Sequence, residues 1–205
     1  MSLIELSTAL TLAGSSVVVP FVNKVLEKSA DRLGGQVDAQ LVTLFTKAQH
    51  LLAATGREPQ SVEPKLLKPI VENAPLETDP GLADLWAALL ANAADPVQRV
   101  AVQPSFTEVL RQLTPDDAQV LAFIYADSHR DIIGFEPLKV EDVFSYFEWE
   151  GFRMEIALDN LLRLRLFDAH TQLRHGPTET LSDGTVMGLT RYGGFFLQAV
   201  TPPAP

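Results

Sequence analysis

Two sets of residues in this 205-residue chain have the chemistry for a reaction centre. One is the four histidines, His50, His129, His170 and His175; the other is the adjacent carboxylates Asp116 and Asp117. Neither set converges. A metal site needs three or four ligands meeting at one point, and strand geometry puts positions 170 and 175 on opposite faces, even with Asp168 nearby. Neighbouring positions on a helix do not face each other, so Asp116-Asp117 reads as a helix cap and not as a general acid–base pair. The chain has no cysteine. Disulfides, thiolate zinc sites, iron–sulfur clusters and a cysteine nucleophile are thereby excluded. Gly34-Gly35 and Gly193-Gly194 are isolated pairs, not a phosphate loop, and no G-x-S-x-G or H-E-x-x-H motif occurs. These residues predict no catalytic residue, no metal and no cofactor, hence a protein that is not an enzyme.

Binding chemistry is better represented. Phe144, Tyr146, Phe147, Trp149 and Phe152 place five aromatics within nine residues. That is more than one short helix needs for packing. Core packing is the plainer use of them, and an exposed partner surface is the other. Arg153, Arg163 and Arg165 follow on the next predicted helix and are the candidate DNA contacts. Glu155 and Asp159 stand among them, about 200° and 240° round the helix from Arg153. The net charge is -10, from 16 Lys+Arg against 26 Asp+Glu. Residues 105–205 hold 15 of those acids and only 8 of the basic residues. Phosphate binding draws its affinity from clustered cations, so nucleic acid is a disfavoured partner.

The elements that position these residues are mainly helices. Gln36 to Ala54 carries Val37, Leu41, Leu44, Phe45, Ala48 and Leu52 at helical spacing, with Gly56 as a stop. Lys65 to Asn73 predicts a short helix. Pro80 to Ala94 is capped by Asp79 and carries Leu82, Leu85, Trp86, Leu89, Leu90 and Ala93 as an apolar stripe. Pro104 to Leu113 is another short helix. Thr114-Pro115-Asp116-Asp117 starts the next, which runs to about Ala126. Val140 to Phe147 and Phe152 to Leu166 follow, the latter with Ile156, Ala157, Leu161 and Leu164 inward. Phe167 to Arg174 and Thr185 to Leu189 read as a hairpin-like strand pair, and Thr190 caps a last helix over Arg191 to Val200. Helix, helix, helix, hairpin, helix is the order of a winged-helix module.

The longest uncharged stretch, Leu6 to Asn23, contains Gly14, Pro20 and several hydroxyl residues. It predicts neither a spanning helix nor a secretory signal. A peripheral membrane contact through residues 6–22 stays open as an alternative.

Residues 63–121 carry a longer pattern. Pro64 to Leu67 with Pro69, then Leu85 to Ala93, then Pro104 to Leu121 correspond to P-x-L-L-x-P, L-W-A-x-L-L-A-N-A and P-S-F-x-x-I-L-x-Q-L-[ST]-P-x-D-A-x-I-L, with Val109 and Val120 at the two isoleucine positions. The sequence resembles the abortive infection alpha family of bacterial phage-defence-associated proteins over roughly residues 20 to 125. Gln103 is a departure, standing where that family often has histidine. The resemblance implies a cytoplasmic, mainly helical protein and carries over no active-site residue.

The expectation is a mainly α chain: a helical region over 1–113, a winged-helix-like domain with a short β-hairpin over 114–201, and a Pro-rich tail over 202–205. Its expected role is a non-enzymatic sensor or adaptor in anti-phage abortive infection, with a host or phage protein as partner. The alternatives are a winged-helix DNA-binding regulator and a membrane-contacting effector. Self-association is also open.

Overall fold

The computed structural model describes residues 18–26, 39–98, 102–127, 138–147, 149, 151–171 and 185–204. The chain divides into two compact units, 1–112 with 199–205, and 113–198.

Unit 1 is helical in its described residues: α1 (Val18–Leu26), α2 (Ala39–Ala53), α3 (Pro64–Asn73) with a following 3-10 turn (Ala74–Leu76), α4 (Pro80–Ala94) and α5 (Ser105–Gln112). Helix α4 starts at Asp79, whose Oδ1 accepts the Leu82 N–H at 2.9 Å, with Pro80 in the first turn. From Trp86 to Ala94 every residue is buried, on all sides of the helix. A stripe was expected; the alanines at 87, 88, 91 and 94 close the remaining faces by letting neighbours approach, so α4 is the centre of the unit. Helix α2 packs along it, and α1 adds Phe21 edge-on to Phe45, ring centroids 6.5 Å apart. Helix α2 is followed by a turn that closes at Gly56, whose φ of 70° is the left-handed conformation glycine favours. Gly34-Gly35 and most of the 6–22 segment lie outside the described residues. No helix among the described residues is long and apolar enough to cross a membrane.

Unit 2 holds α6 (Pro115–Asp127), β1 (Leu138–Lys139), α7 (Val140–Tyr146), α8 (Gly151–Arg163), β2 (Phe167–Thr171), β3 (Thr185–Leu189) and α9 (Arg191–Val200), the last up to residue 198. The strands form an antiparallel sheet in the order β1-β3-β2. Phe167 pairs with Leu189 and Thr171 with Thr185, while Leu138 and Lys139 pair with Met187 and Val186. The expected hairpin therefore gains a third strand. Two residues are too few to show an alternation, so β1 leaves no pattern in the sequence.

Two details of α8 depart from expectation. Its buried stripe is Met154, Ala157, Leu158 and Leu161, which leaves Ile156 about 200° away from Met154 on the helix. Ile156 is 63% exposed instead of inward. The helix also stops at Arg163. Leu166 N–H donates to Leu161 O at 3.1 Å and Arg165 N–H to Leu162 O at 2.9 Å, a Schellman close with Arg165 at the left-handed position, φ 60°. Arg165 thus stands past the helix end. On the far side of this corner, Thr190 Oγ1 accepts the Gly193 N–H at 2.8 Å and donates to Arg165 O at 2.6 Å. Thr190 caps α9 and ties its first turn to the end of α8.

Candidate functional site

The polar motif positions of unit 1 have structural partners. Asn92, 1% exposed, donates through Nδ2 to Ala199 O at 2.8 Å and to Thr201 O at 2.7 Å. It anchors the C-terminal residues of the same unit, more than a hundred positions away. Asp95 is fully buried, accepts Arg57 Nη1 at 2.7 Å and accepts the Val97 N–H at 2.7 Å. Gln112 donates to Glu108 O at 3.0 Å, and Ser105 opens α5 as its first residue, on the surface. Trp86, Leu89, Leu90 and Phe106 are core. A cleft of about 590 Å³ lined by Phe21, Lys24, Arg57 and Glu58 lies at the ends of α1 and α2. Its Arg57 is committed to Asp95.

Unit 2 carries the binding candidates, and they are built from the start of α6. Thr114 and Asp117 form a capping box: Thr114 N–H donates to Asp117 Oδ2 at 2.7 Å, and Asp117 N–H to Thr114 Oγ1 at 3.2 Å. Asp117 Oδ2 also accepts Asn160 Nδ2 from α8 at 2.6 Å. Burial pushes the Asp117 carboxyl up, against the hydrogen bonds from Thr114 and Asn160. The adjacent Asp116 has a separate role. It takes a forked pair of bonds from Arg153, Nε at 2.6 Å and Nη2 at 2.5 Å, and these hold its carboxyl below the usual range. The expectation that both carboxylates cap the helix is right for Asp117 and incomplete for Asp116.

The aromatic segment continues from that ion pair. The Arg153 guanidinium lies 4.4 Å above the Trp149 ring. Trp149 meets Phe147 at 4.5 Å, Phe147 meets Tyr146 at 5.0 Å, and both reach Phe123 of α6, at 5.6 and 4.1 Å. The result is one stack from Phe123 to Arg153, closed by Asp116. Phe144, Phe147 and Trp149 are half-buried, whereas Tyr146 and Phe152 are 64% and 62% exposed. Phe152 and Ile156 stand one turn apart on the outer face of α8. Phe123, Asn160 and Ile156 were not among the sequence candidates, and Asp116 was read there as a cap and not as an arginine's partner. Phe123 carried a signal, an aromatic lying off the apolar stripe of its own helix.

The three arginines do not form one basic face. Arg153 is taken by Asp116 and Trp149. Arg163 lies on the exposed side of α8 and donates to Asn160 Oδ1 through Nη2 at 2.6 Å. Arg165 is exposed beyond the helix. Among the described residues no group of three His, Cys, Asp or Glu could hold a metal ion. His50 is exposed on α2, and His129 and His175 lie outside the described residues.

A family model described as abortive infection alpha matches residues 39–182. No curated protein and no solved structure matches the chain.

Proposed function

The chain belongs to the abortive infection alpha family, and on that membership we propose that it serves anti-phage abortive infection as a non-enzymatic sensor or adaptor. Unit 2 is its contact module. The order helix, strand, two helices, two strands, with the sheet order β1-β3-β2, supports reading it as a winged helix turned to protein contact. One observation carries this choice: the outer face of α8 presents Phe152 and Ile156 beside a single cation, Arg163, which donates to Asn160, while Arg153 is drawn off to Asp116. A groove-reading helix would present its cations there and keep apolar side chains out of water. Exposed aromatic and aliphatic side chains on a rigid helix are what a protein interface uses as anchors. The membrane alternative has less support, since Phe21, Val22 and Val25 of α1 are buried within unit 1.

The test is made in the native host. Deleting the gene is expected to lower resistance to phage, the wild-type gene to restore it, and the tagged chain to recover a specific protein after phage challenge. Unchanged resistance on deletion, with no specific partner recovered, would contradict the proposal.

A further inference from the structure

We propose that the cleft of unit 1 binds a small molecule with an apolar body and a single carboxylate, held through Arg57. The inference stands apart from the protein-contact reading of unit 2. At about 590 Å³ the cleft has the size of a small-molecule site. Phe21 of α1 and Leu52 of α2, both deeply buried, supply its apolar lining. The elements around it are tied together. Val62 N–H donates to Val25 O of α1 at 3.2 Å, and Gln60 N–H to Ala94 O of α4 at 2.7 Å. The cleft is therefore preformed by the fold of the unit.

Asp95 singles out Arg57 within it. Taking a carboxylate wholly out of water is expensive, and a lone ion pair seldom returns more than that cost. Asp95 is 0% exposed, yet it meets one side chain only, Arg57, through Nη1 at 2.7 Å. The consequence of the pair is positional: it fixes the guanidinium in place. The Arg57 side chain stays 24% exposed, and its Nε and Nη2 have no partner among the described residues. Those two nitrogens are the edge that takes a carboxylate in two parallel bonds. Arg153 uses the same edge on Asp116. Gln49, half-buried in the lining, makes no side-chain hydrogen bond among the described residues and supplies a further donor.

Donor geometry, not net charge, selects the ligand. Asp95 balances Arg57, and exposed Glu58 offsets exposed Lys24 in the lining. A dianionic phosphate finds no net positive field there. A monocarboxylate needs only the fixed donors, and the apolar lining takes the rest of the molecule.

The experiment titrates the full chain with phenylacetate, phenylacetamide, phenyl phosphate and acetate. Binding is read from saturation transfer to the probe and from the Arg57 Nε–H NMR resonance. Phenylacetate is expected to bind with a Kd of about a millimolar, as suits so small a ligand, and to shift that resonance. The other three probes are expected to bind about tenfold or more weakly. Arg57→Gln with Asp95→Asn keeps a hydrogen-bonding pair and leaves no buried charge alone, and it is expected to lose about tenfold or more for phenylacetate. Gln49→Ala removes a side chain that bonds to nothing described, so it tests the cleft even if the double variant melts early. Its expected loss is about threefold or more.

Absence of phenylacetate binding, or binding that leaves the Arg57 resonance unmoved, overturns the proposal. So does equal binding of phenylacetamide, which would make the cleft a merely apolar pocket. Tighter binding of phenyl phosphate overturns the carboxylate. Unchanged affinity in a folded Arg57→Gln, Asp95→Asn chain, or in Gln49→Ala, places the ligand elsewhere and overturns the site.

Discussion

Arg153 of α8 grips Asp116 at the start of α6 with both ends of its guanidinium, Nε to Oδ2 at 2.6 Å and Nη2 to Oδ1 at 2.5 Å, while its face covers Trp149. A residue that sequence alone offers as a DNA contact is thereby a fixed part of the protein surface, with its charge spent internally. Arg153→Ala is expected to raise the Asp116 carboxyl towards its ordinary value, which carboxyl carbon NMR reads directly. Because the native value is depressed, the pair contributes stability above the unfolded-state value and loses it as pH falls through the native one. The wild type's advantage over Arg153→Ala should therefore shrink in acid. An Asp116 titration unmoved by the substitution would mean that the pair does not form in solution.

Asp117, one residue on, has the opposite sign. Burial raises its carboxyl, so its contribution is full below the unfolded-state value and is lost as pH rises through the native one. Asp117→Asn keeps an oxygen for Thr114 and Asn160 and removes the charge. Denaturant melts from acid to neutral pH should show the wild type losing ground to Asp117→Asn as pH rises. A constant difference between the two across that range would count against a raised carboxyl.

Gly193 opens α9 against the close of α8. A Cβ built on it would stand 2.0 Å from Leu166 O, a backbone atom that cannot step aside. Gly193→Ala is expected to cost about 2 kcal/mol or more through the forced shift. Gly188→Ala, with nothing within 4 Å of its new carbon, should stay within about 0.5 kcal/mol of wild type. Equal melts for the two would show that the corner is looser than described.

Asn92 holds two carbonyls of the C-terminal residues, Ala199 and Thr201. Asn92→Ala leaves both without that donor and should cost about 2 kcal/mol or more. Removing residues 199–205 takes away the same acceptors, so adding Asn92→Ala to the truncation should cost clearly less than it does in the full chain. Full additivity of the two changes would contradict the coupling.

Local chemistry was legible in the sequence, and long-range pairing was not. Asp79 with Pro80, Thr114 with Asp117 and Thr190 with Gly193 are caps set within four residues, and each fixes a helix start that the structure reproduces. The stripe through Leu82, Trp86 and Leu89 likewise located the centre of unit 1. Periodicity says nothing about which residue a carboxylate meets across 37 positions, as Asp116 meets Arg153, or where an amide reaches across 107, as Asn92 does. The same limit hid Ile156. A helix with apolar residues on two sides does not declare which side is buried, and Met154 with Leu158 took that role. The exposed face of α8 thus emerged only once the core stripe was located.

On the proposed reading, unit 2 works through the apolar face of α8 and not through its cations. Phage plating on the complemented deletion host, at matched protein levels, tests it most directly by comparing Phe152→Ser with Ile156→Ser against Arg163→Ala with Arg165→Ala. The serine pair is expected to lose protection and the alanine pair to keep it. Protection lost with the arginines and kept with the serines would contradict it.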